Sequence, residues 1–235
     1  MSQTISYIHP ESLIFPDVST ALSDPNGLLA VGGDLSTKRL VKAYSLGIFP
    51  WYSEGEPLMW WSPNPRAIIP IDELRINRTL RKFINKQPYQ VTLNHAFDEV
   101  ISLCSDAPFR KEDTWITDEM YEAYCQLHQA GHAHSIEVWC EEELVGGLYG
   151  VAIGGYFSGE SMFYAKPNAS KIALAALAKH LTKIGSTFID CQLTNHFLED
   201  MGCVEISRNT FISKKDDMMS NIVGDEFWQP KSLSY

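Results

Sequence analysis

The chain lacks an apolar run near the ~18–20 residues that a membrane span requires. Its start, Met1-Ser2-Gln3-Thr4-Ile5, has neither the basic opening nor the apolar stretch of a secretory signal. A cytoplasmic protein without a membrane partner is therefore expected. None of the five cysteines (Cys104, Cys125, Cys140, Cys191 and Cys203) forms a C-x-x-C pair. That spacing supports neither a zinc knuckle nor a dithiol redox motif, and it predicts reduced, mostly buried thiols. His132 and His134 lie two apart but have no third ligand at convincing spacing, so no metal is expected. Positive charge is also scarce, with 19 Lys and Arg against 29 Asp and Glu and a formal net charge of −10. This balance argues against indiscriminate nucleic-acid binding, although it leaves room for a local basic face, because counterion release depends on the contacting surface.

What is present is an ordinary globular composition, 45% hydrophobic and 20% charged over 235 residues. A chain of that length can bury a sizeable core without covalent staples. Residues 1 to about 70 are rich in turns and carry Pro10, Pro16, Pro25, Pro50, Pro57, Pro63, Pro65 and Pro70. Each proline fixes φ and removes a donor, so long regular elements are not expected there. The exception is a helix over 36–46, capped by Ser36, with Leu40, Val41 and Tyr44 at helical spacing. Residues 73–86 read as a second helix, with Leu80, Phe83 and Ile84 on its apolar stripe and Arg78, Arg81, Lys82 and Lys86 around the remainder. This is the densest positive charge in the chain. It fits either a phosphate-binding face or a solvated one.

Further along, helices are predicted over 97–104 and over 118–130, the latter stopped by Gly131. Strands are predicted over 135–140, 144–153 and 156–163. A helix capped by Asn168 or Ser170 should carry Leu174, Leu177, Leu181 and Ile184 on one face and stop at Gly185. A strand over 187–191, a helix over 194–201 and a last strand over 204–206 complete the pattern. This order describes an α/β (α+β) layered domain, one sheet with helices packed on it.

Three places stand out chemically. Asp190, Cys191 and Gln192 end an apolar strand, where open α/β sheets bind ligands. By strand alternation Asp190 and Gln192 face one side, able to hold an amine and a carbonyl oxygen together; the plainer alternative is that Asp190 caps the next helix. Glu160 lies in the otherwise apolar Gly159-Glu160-Ser161-Met162-Phe163, so it needs a partner or a ligand, because unpaired burial is costly. The aromatic segments Ile48-Phe49-Pro50-Trp51-Tyr52 and Thr114-Trp115-Ile116-Thr117 can stack on a base or pack into a core.

Taken together, several blocks resemble the bacterial leucyl/phenylalanyl-tRNA–protein transferases. They are Asn26-Gly27-Leu28-Leu29-Ala30-Val31-Gly32-Gly33-Asp34-Leu35, Gly47-Ile48-Phe49-Pro50-Trp51, Trp60-Trp61-Ser62-Pro63-Asn64-Pro65-Arg66, Gly131-His132-Ala133-His134-Ser135-Ile136-Glu137, Gly159-Glu160-Ser161-Met162-Phe163 and Asp190-Cys191-Gln192. The resemblance runs from about residue 13 to about residue 230. It implies a small loop-rich N-terminal domain (1–68) and a catalytic domain (69–235) similar in fold to the GCN5-related N-acetyltransferases. It also implies a reaction without a cofactor, carried out by a monomer: Leu, Phe or, less readily, Met moves from aminoacyl-tRNA to the N-terminal Arg or Lys of an acceptor protein, which marks that protein for N-degron degradation.

In that reading Asp190 attracts the amine and orients Gln192, Gln192 positions the reacting centre, and Glu160 holds the aminoacyl end. Trp51 and Trp115 bracket the terminal adenosine. Leu148, Leu174 and Leu177, with Phe157 and Ser161, bind the transferred residue, and Arg78, Arg81, Lys82 and Lys86 meet acceptor-stem phosphates. The family pattern often carries an aromatic where Leu177 stands, which bears on the Leu-versus-Phe preference and not on the class, since one methylene is worth only ~1–3 kcal/mol in such a pocket. Two other classes fit the sequence less well. An acetyl-CoA-dependent acetyltransferase would need a glycine-rich turn at a helix N-terminus for the pyrophosphate, and Lys166-Pro167-Asn168-Ala169-Ser170-Lys171 contains none. A non-catalytic tRNA-binding module would leave Asp190 and Gln192 without a task.

Overall fold

The computed structural model describes residues 5–84, 86, 89–106 and 116–235. The first part of the chain forms β1 (Ser6–Ile8), β2 (Leu28–Gly32), α1 (Thr37–Ser45), β3 (Phe49–Pro50) and β4 (Met59–Trp61). Next come β5 (Arg66–Pro70), α2 (Arg78–Ile84), β6 (Tyr89–Leu93), α3 (Phe97–Ser105) and α4 (Asp118–Gln129). A meander of β7 (Ala133–Cys140), β8 (Glu143–Ile153) and β9 (Tyr156–Tyr164) leads to α5 (Ala169–Leu181) and β10 (Phe188–Gln192). The chain ends with α6 (His196–Asp200), β11 (Val204–Ile206), α7 (Arg208–Met219) and β12 (Lys231–Leu233).

The result is a mixed α/β fold with two sheets. One has four short strands in the order β1-β2-β4-β3, and the other has eight in the order β11-β5-β10-β9-β8-β7-β6-β12. The proline-rich opening therefore holds more strand than its composition suggests. The prolines permit it because β1 to β4 are only two to five residues long, and Pro50 lies in the edge strand β3. Arg39, fully buried on α1, donates to Asp34 Oδ1 (3.1 Å) and to the carbonyls of Pro10 (2.6 Å) and Ser12, and so ties the first loop down.

Among the described residues, β9 and β10 are the one parallel pair in the large sheet, and α5 makes the crossover that a parallel connection demands. α5 is buried almost all round, from Ile172 and Ala173 through Leu174 and Leu177 to His180, whereas the sequence pattern predicts a single apolar face. Its entry also differs: Asn168 adopts a left-handed conformation (φ 67°) and makes no side-chain cap. The sheet face under α5 carries Val91, Ile136, Val138, Leu148 and Phe157. On the other face α3 and α4 share one apolar cluster with the small sheet, through Tyr44, Trp60, Phe97, Tyr124 and Tyr149.

Two helices start later than their sequence pattern suggests. The segment 73–86 is helical only from Arg78, because the Asn77 side chain accepts the Leu80 N–H (2.8 Å) and fixes the start there. The segment 194–201 is helical from His196, capped by Asn195 through the Leu198 N–H. α7 escapes the sequence pattern because its buried positions, Arg208, Phe211, Lys215 and Met218, include two cations. Arg208 Nε donates to the Ser62 carbonyl (2.8 Å) and Lys215 Nζ to that of Ser45 (2.5 Å), so α7 fastens the N-terminal segment to the large sheet. No disulfide joins the cysteines, and only Cys104 is fully buried; the other four, expected to be mostly interior, are partly exposed.

Candidate active site

The parallel strands β9 and β10 meet at a single rung, Asp190 opposite Ser158. Beyond it they part. Two residues further along each strand stand Glu160 and Gln192, and their side chains take over where the backbone ladder stops: Gln192 Nε2 donates to Glu160 Oε1 at 2.8 Å. Gln192 reaches this position through a break in strand regularity. Its φ is +63°, and the pairing of β10 with β5 slips between Asp190 and Gln192. Strand alternation therefore does not govern how Asp190 and Gln192 relate. The Asp190 carboxylate accepts the Gln192 backbone N–H at 2.9 Å instead, which holds the turn.

Asp190 is fully buried. Its Oδ1 accepts from Arg66 Nε (2.8 Å), and its Oδ2 accepts from Arg66 Nη2 (2.7 Å) and from the Tyr156 hydroxyl (2.6 Å). This is a bidentate buried ion pair with every lone-pair direction engaged. Burial pulls the Arg66 guanidinium pKa down, but the charge and hydrogen bonds of Asp190 outweigh it, so Arg66 stays charged. The Phe49 and Phe211 rings lie against the guanidinium, centroids 4.8 and 4.5 Å from Cζ. The Gly47 carbonyl accepts from Nη1 (3.3 Å). A side chain at Gly47 would be strained: its φ is +75°, and a Cβ would stand 2.7 Å from Ile212 Cδ1. Asp190 does not cap the following helix, since Asn195 does.

Glu160 keeps some surface towards a cavity, while its carboxylate is enclosed by protein. The Tyr124 hydroxyl donates to Oε2 (3.3 Å), Ser158 Oγ lies 3.4 Å from Oε1, and Tyr44 hydrogen-bonds to Tyr124. Burial pushes the carboxyl pKa up, with the Asp190 charge adding to the rise; hydrogen bonds from Tyr44 and Tyr124 pull the other way, and the balance stands at about 7. Burial also raises Tyr44, Tyr124 and Tyr156, which keeps the phenols neutral and able to donate.

The cavity measures about 450 Å³, the size of a small-ligand site. Leu148, Phe157, Leu174 and Leu177 are among its apolar lining, and Glu160 and Ser161 are among its polar lining. It thus gathers the residues expected to bind the transferred side chain, together with Glu160. Gln192 adjoins it through Glu160. A second hollow, about 630 Å³ beside His134 and Trp228, is lined by none of the residues expected in the site.

The remaining candidates lie apart from the cavity lining. Trp51 is 43% exposed and packs edge-on against Trp61 at 5.6 Å. Trp115 lies outside the described residues. Arg78, Arg81, Lys82 and Lys86 are exposed on and after α2. The site also contains Arg66, Tyr156, Tyr44 and Tyr124, which are not among the residues expected there. Arg66 has a signal, being a lone cation at the threshold of the apolar Ala67-Ile68-Ile69. The tyrosines come from three distant elements, and nothing local marks them.

The site thus joins an apolar cavity to a polar rim in which the Gln192 amide donates to the Glu160 carboxyl, an arrangement able to hold an apolar group beside a carboxyl that can exchange a proton. Residues 68–216 match the family model Leucyl/phenylalanyl-tRNA protein transferase, and residues 33–64 match the Leucyl/phenylalanyl-tRNA protein transferase N-terminal domain. A leucyl/phenylalanyl-tRNA–protein transferase of Colwellia psychrerythraea is 60% identical over 100% of this chain and 99% of its own. That of Yersinia pestis is 50% identical over 98% of this chain and 97% of its own. Among solved structures, that of L-PGS from Bacillus licheniformis is 17% identical with a TM-score of 0.37, over 82% of this chain and 62% of that one. The chain belongs to the leucyl/phenylalanyl-tRNA–protein transferase family.

Proposed function

We propose that this protein moves leucine or phenylalanine, and less readily methionine, from aminoacyl-tRNA to the N-terminal Arg or Lys of an acceptor protein, marking it for N-degron degradation in the cytoplasm. The observation that carries the reading is the apolar cavity of about 450 Å³ that opens beside Glu160, in a chain of this family. Leu148, Phe157, Leu174 and Leu177 receive the transferred side chain. Trp51 and Trp115 hold the terminal adenosine, and Arg78, Arg81, Lys82 and Lys86 meet phosphates of the acceptor stem. We take residues 69–235 to be a GCN5-related acetyltransferase-like catalytic domain and 1–68 a small domain attached to it.

The donor is already an activated ester, so the protein must mainly align it with a neutral α-amine and move one proton. The amine nitrogen forms a bond to the ester carbonyl carbon, the bond from that carbon to the ribose oxygen breaks, and the amine proton ends on the ribose hydroxyl. Glu160 takes and returns that proton. It sits at the cavity wall, and its pKa of about 7 makes both protonation states accessible near neutrality. Gln192 orients Glu160 and the carbonyl. Asp190, saturated by Arg66 and Tyr156, acts one step back: it fixes the turn that presents Gln192.

Labelled leucyl-tRNA and a peptide beginning with Arg test this reading. Transfer to that peptide, with none to an otherwise identical peptide beginning with Asp, is expected. Transfer from acetyl-CoA, or tRNA binding without transfer, would contradict it.

A further inference from the structure

Residues beyond 216 fall outside the matched family segment, yet one of them, Trp228, stacks on Phe157, which lines the cavity. After α7 the chain crosses the large sheet and adds β12 to β6, where the Tyr235 hydroxyl donates to the Tyr89 carbonyl at 2.8 Å. On the way it inserts Trp228. Asn94 Nδ2 donates to the Trp228 carbonyl (2.6 Å), and the indole stacks flat on His134, with centroids 4.0 Å apart and planes within 6°. The indole also stacks on Phe157, at 5.9 Å and 27°.

Phe157 is 1% exposed and lines the 450 Å³ cavity, whereas Trp228 lines the 630 Å³ hollow. The two rings are therefore the partition between the two spaces. Behind Phe157 there is no slack on the sheet side. A Cβ on Gly150 would stand 2.5 Å from Phe157 Cε1, so the ring already occupies the room that glycine leaves. On the side away from the sheet, the Trp228 indole stacks on the ring and stands between it and the second hollow.

We propose that Trp228 is a positioning residue that sets the depth of the cavity through Phe157, and so sets the preference between a shorter and a longer apolar donor residue. This rests on the reading of the cavity as the pocket for the transferred side chain. A smaller residue at 228 lets Phe157 withdraw towards the second hollow and deepens the pocket for phenylalanine, while leucine no longer reaches its floor.

The test measures kcat/KM for leucyl-tRNA and phenylalanyl-tRNA with an Arg-peptide, and the melting temperature, in the full chain and in its Trp228→Leu and Trp228→Phe variants. Trp228→Leu should shift the Phe-to-Leu ratio about tenfold towards Phe, the lower range of what a pocket discriminates per methylene. Trp228→Phe keeps a ring on His134. It should shift the ratio the same way by less, with melting close to that of the parent, and it decides the matter if Trp228→Leu fails to fold. A purely structural Trp228 lowers both donors alike, so an unmoved ratio in a parent that transfers both residues overturns the proposal. A parent that transfers neither removes the reading of the cavity itself, and the proposal with it.

Discussion

Gln192 and Glu160 stand at matching places on two parallel strands, each two residues past the rung that joins Asp190 to Ser158, and a 2.8 Å hydrogen bond joins them across the gap. The strands separate there because Gln192 leaves the extended conformation, at φ +63°, and the Asp190 carboxylate stabilises that departure by accepting the Gln192 N–H. A buried ion pair thus supports a turn, the turn presents an amide, and the amide orients a carboxyl beside the cavity. Each of these groups has a different expected response to substitution.

Asp190→Asn leaves the Arg66 guanidinium buried without its counter-charge. Removing one partner of such a pair costs about 3–5 kcal/mol. The variant should melt markedly earlier and transfer slowly, while Gln192→Ala should transfer slowly with little change in melting. Combining Asp190→Asn with Arg66→Met should recover part of the stability and none of the activity. Thermal melting beside single-turnover transfer separates these outcomes. Parental melting of Asp190→Asn would show that the ion pair does not support the turn.

Leu177 faces the cavity together with Leu174. Leu177→Phe fills space that a phenylalanyl donor needs, so kcat/KM for phenylalanyl-tRNA should fall about 10–200-fold more than that for leucyl-tRNA. Equal reductions for both donors would place Leu177 outside the side-chain pocket.

The exposed charges of α2 should act on tRNA without regard to the amino acid carried. Arg81→Glu with Lys82→Glu should weaken binding of leucyl- and phenylalanyl-tRNA equally. The slope of log K against log salt should fall by roughly one for each phosphate that the variant no longer neutralises. Unchanged binding would leave the helix as a solvated face.

His134 ties acid stability to the C-terminal tail. Asn94 is oriented by two backbone partners: its Oδ1 accepts the Ser135 N–H (2.9 Å) and its Nδ2 donates to the Trp228 carbonyl. Asn94 Nδ2 therefore also donates to His134 Nδ1 (2.9 Å), which must be unprotonated. Burial, then the neighbouring His128, lowers the His134 pKa to about 3, from an ordinary value of 6.5. Below 6.5 the unfolded chain takes up a proton that the folded chain refuses, so stability falls progressively as pH drops from 6.5 towards 3. His134→Phe keeps the ring stack and should flatten that part of the melting-temperature profile. His180, held at about 4 chiefly by burial, should retain a smaller acid dependence.

The sequence is legible where a single face or strand carries the pattern. The meander β7–β9 and the helix α5 follow from apolar runs punctuated by glycines, and Glu160 announces itself as a carboxylate in an apolar strand. The order along β10 points to Asp190 and Gln192 but not to how they divide the work. That depends on Arg66, 124 positions away, and on a positive φ at Gln192 that no side-chain preference signals. α7 is hidden because Arg208 and Lys215 occupy its buried stripe, where cations read as surface. Trp228 is invisible for a related reason: its place is fixed by His134 and Phe157, on strands far off in sequence.

The pH dependence of single-turnover transfer to an Arg-peptide, in the parent and in Glu160→Gln, tests the central claim most directly. Transfer by the parent should rise through a step near pH 7, as Glu160 loses its proton. Glu160→Gln should lose that step, keep only the one set by the acceptor's own α-amine at about pH 8, and run about 10²–10⁴-fold slower, the usual contribution of a positioned proton acceptor. Linkage gives a second readout with the opposite slope. A carboxyl whose folded pKa is raised from 4.5 to about 7 stabilises the fold below 4.5 and loses that contribution as pH rises to 7. Glu160→Gln should therefore melt no earlier than the parent above pH 7. A variant that keeps both the parental rate and the step near pH 7 would contradict the account.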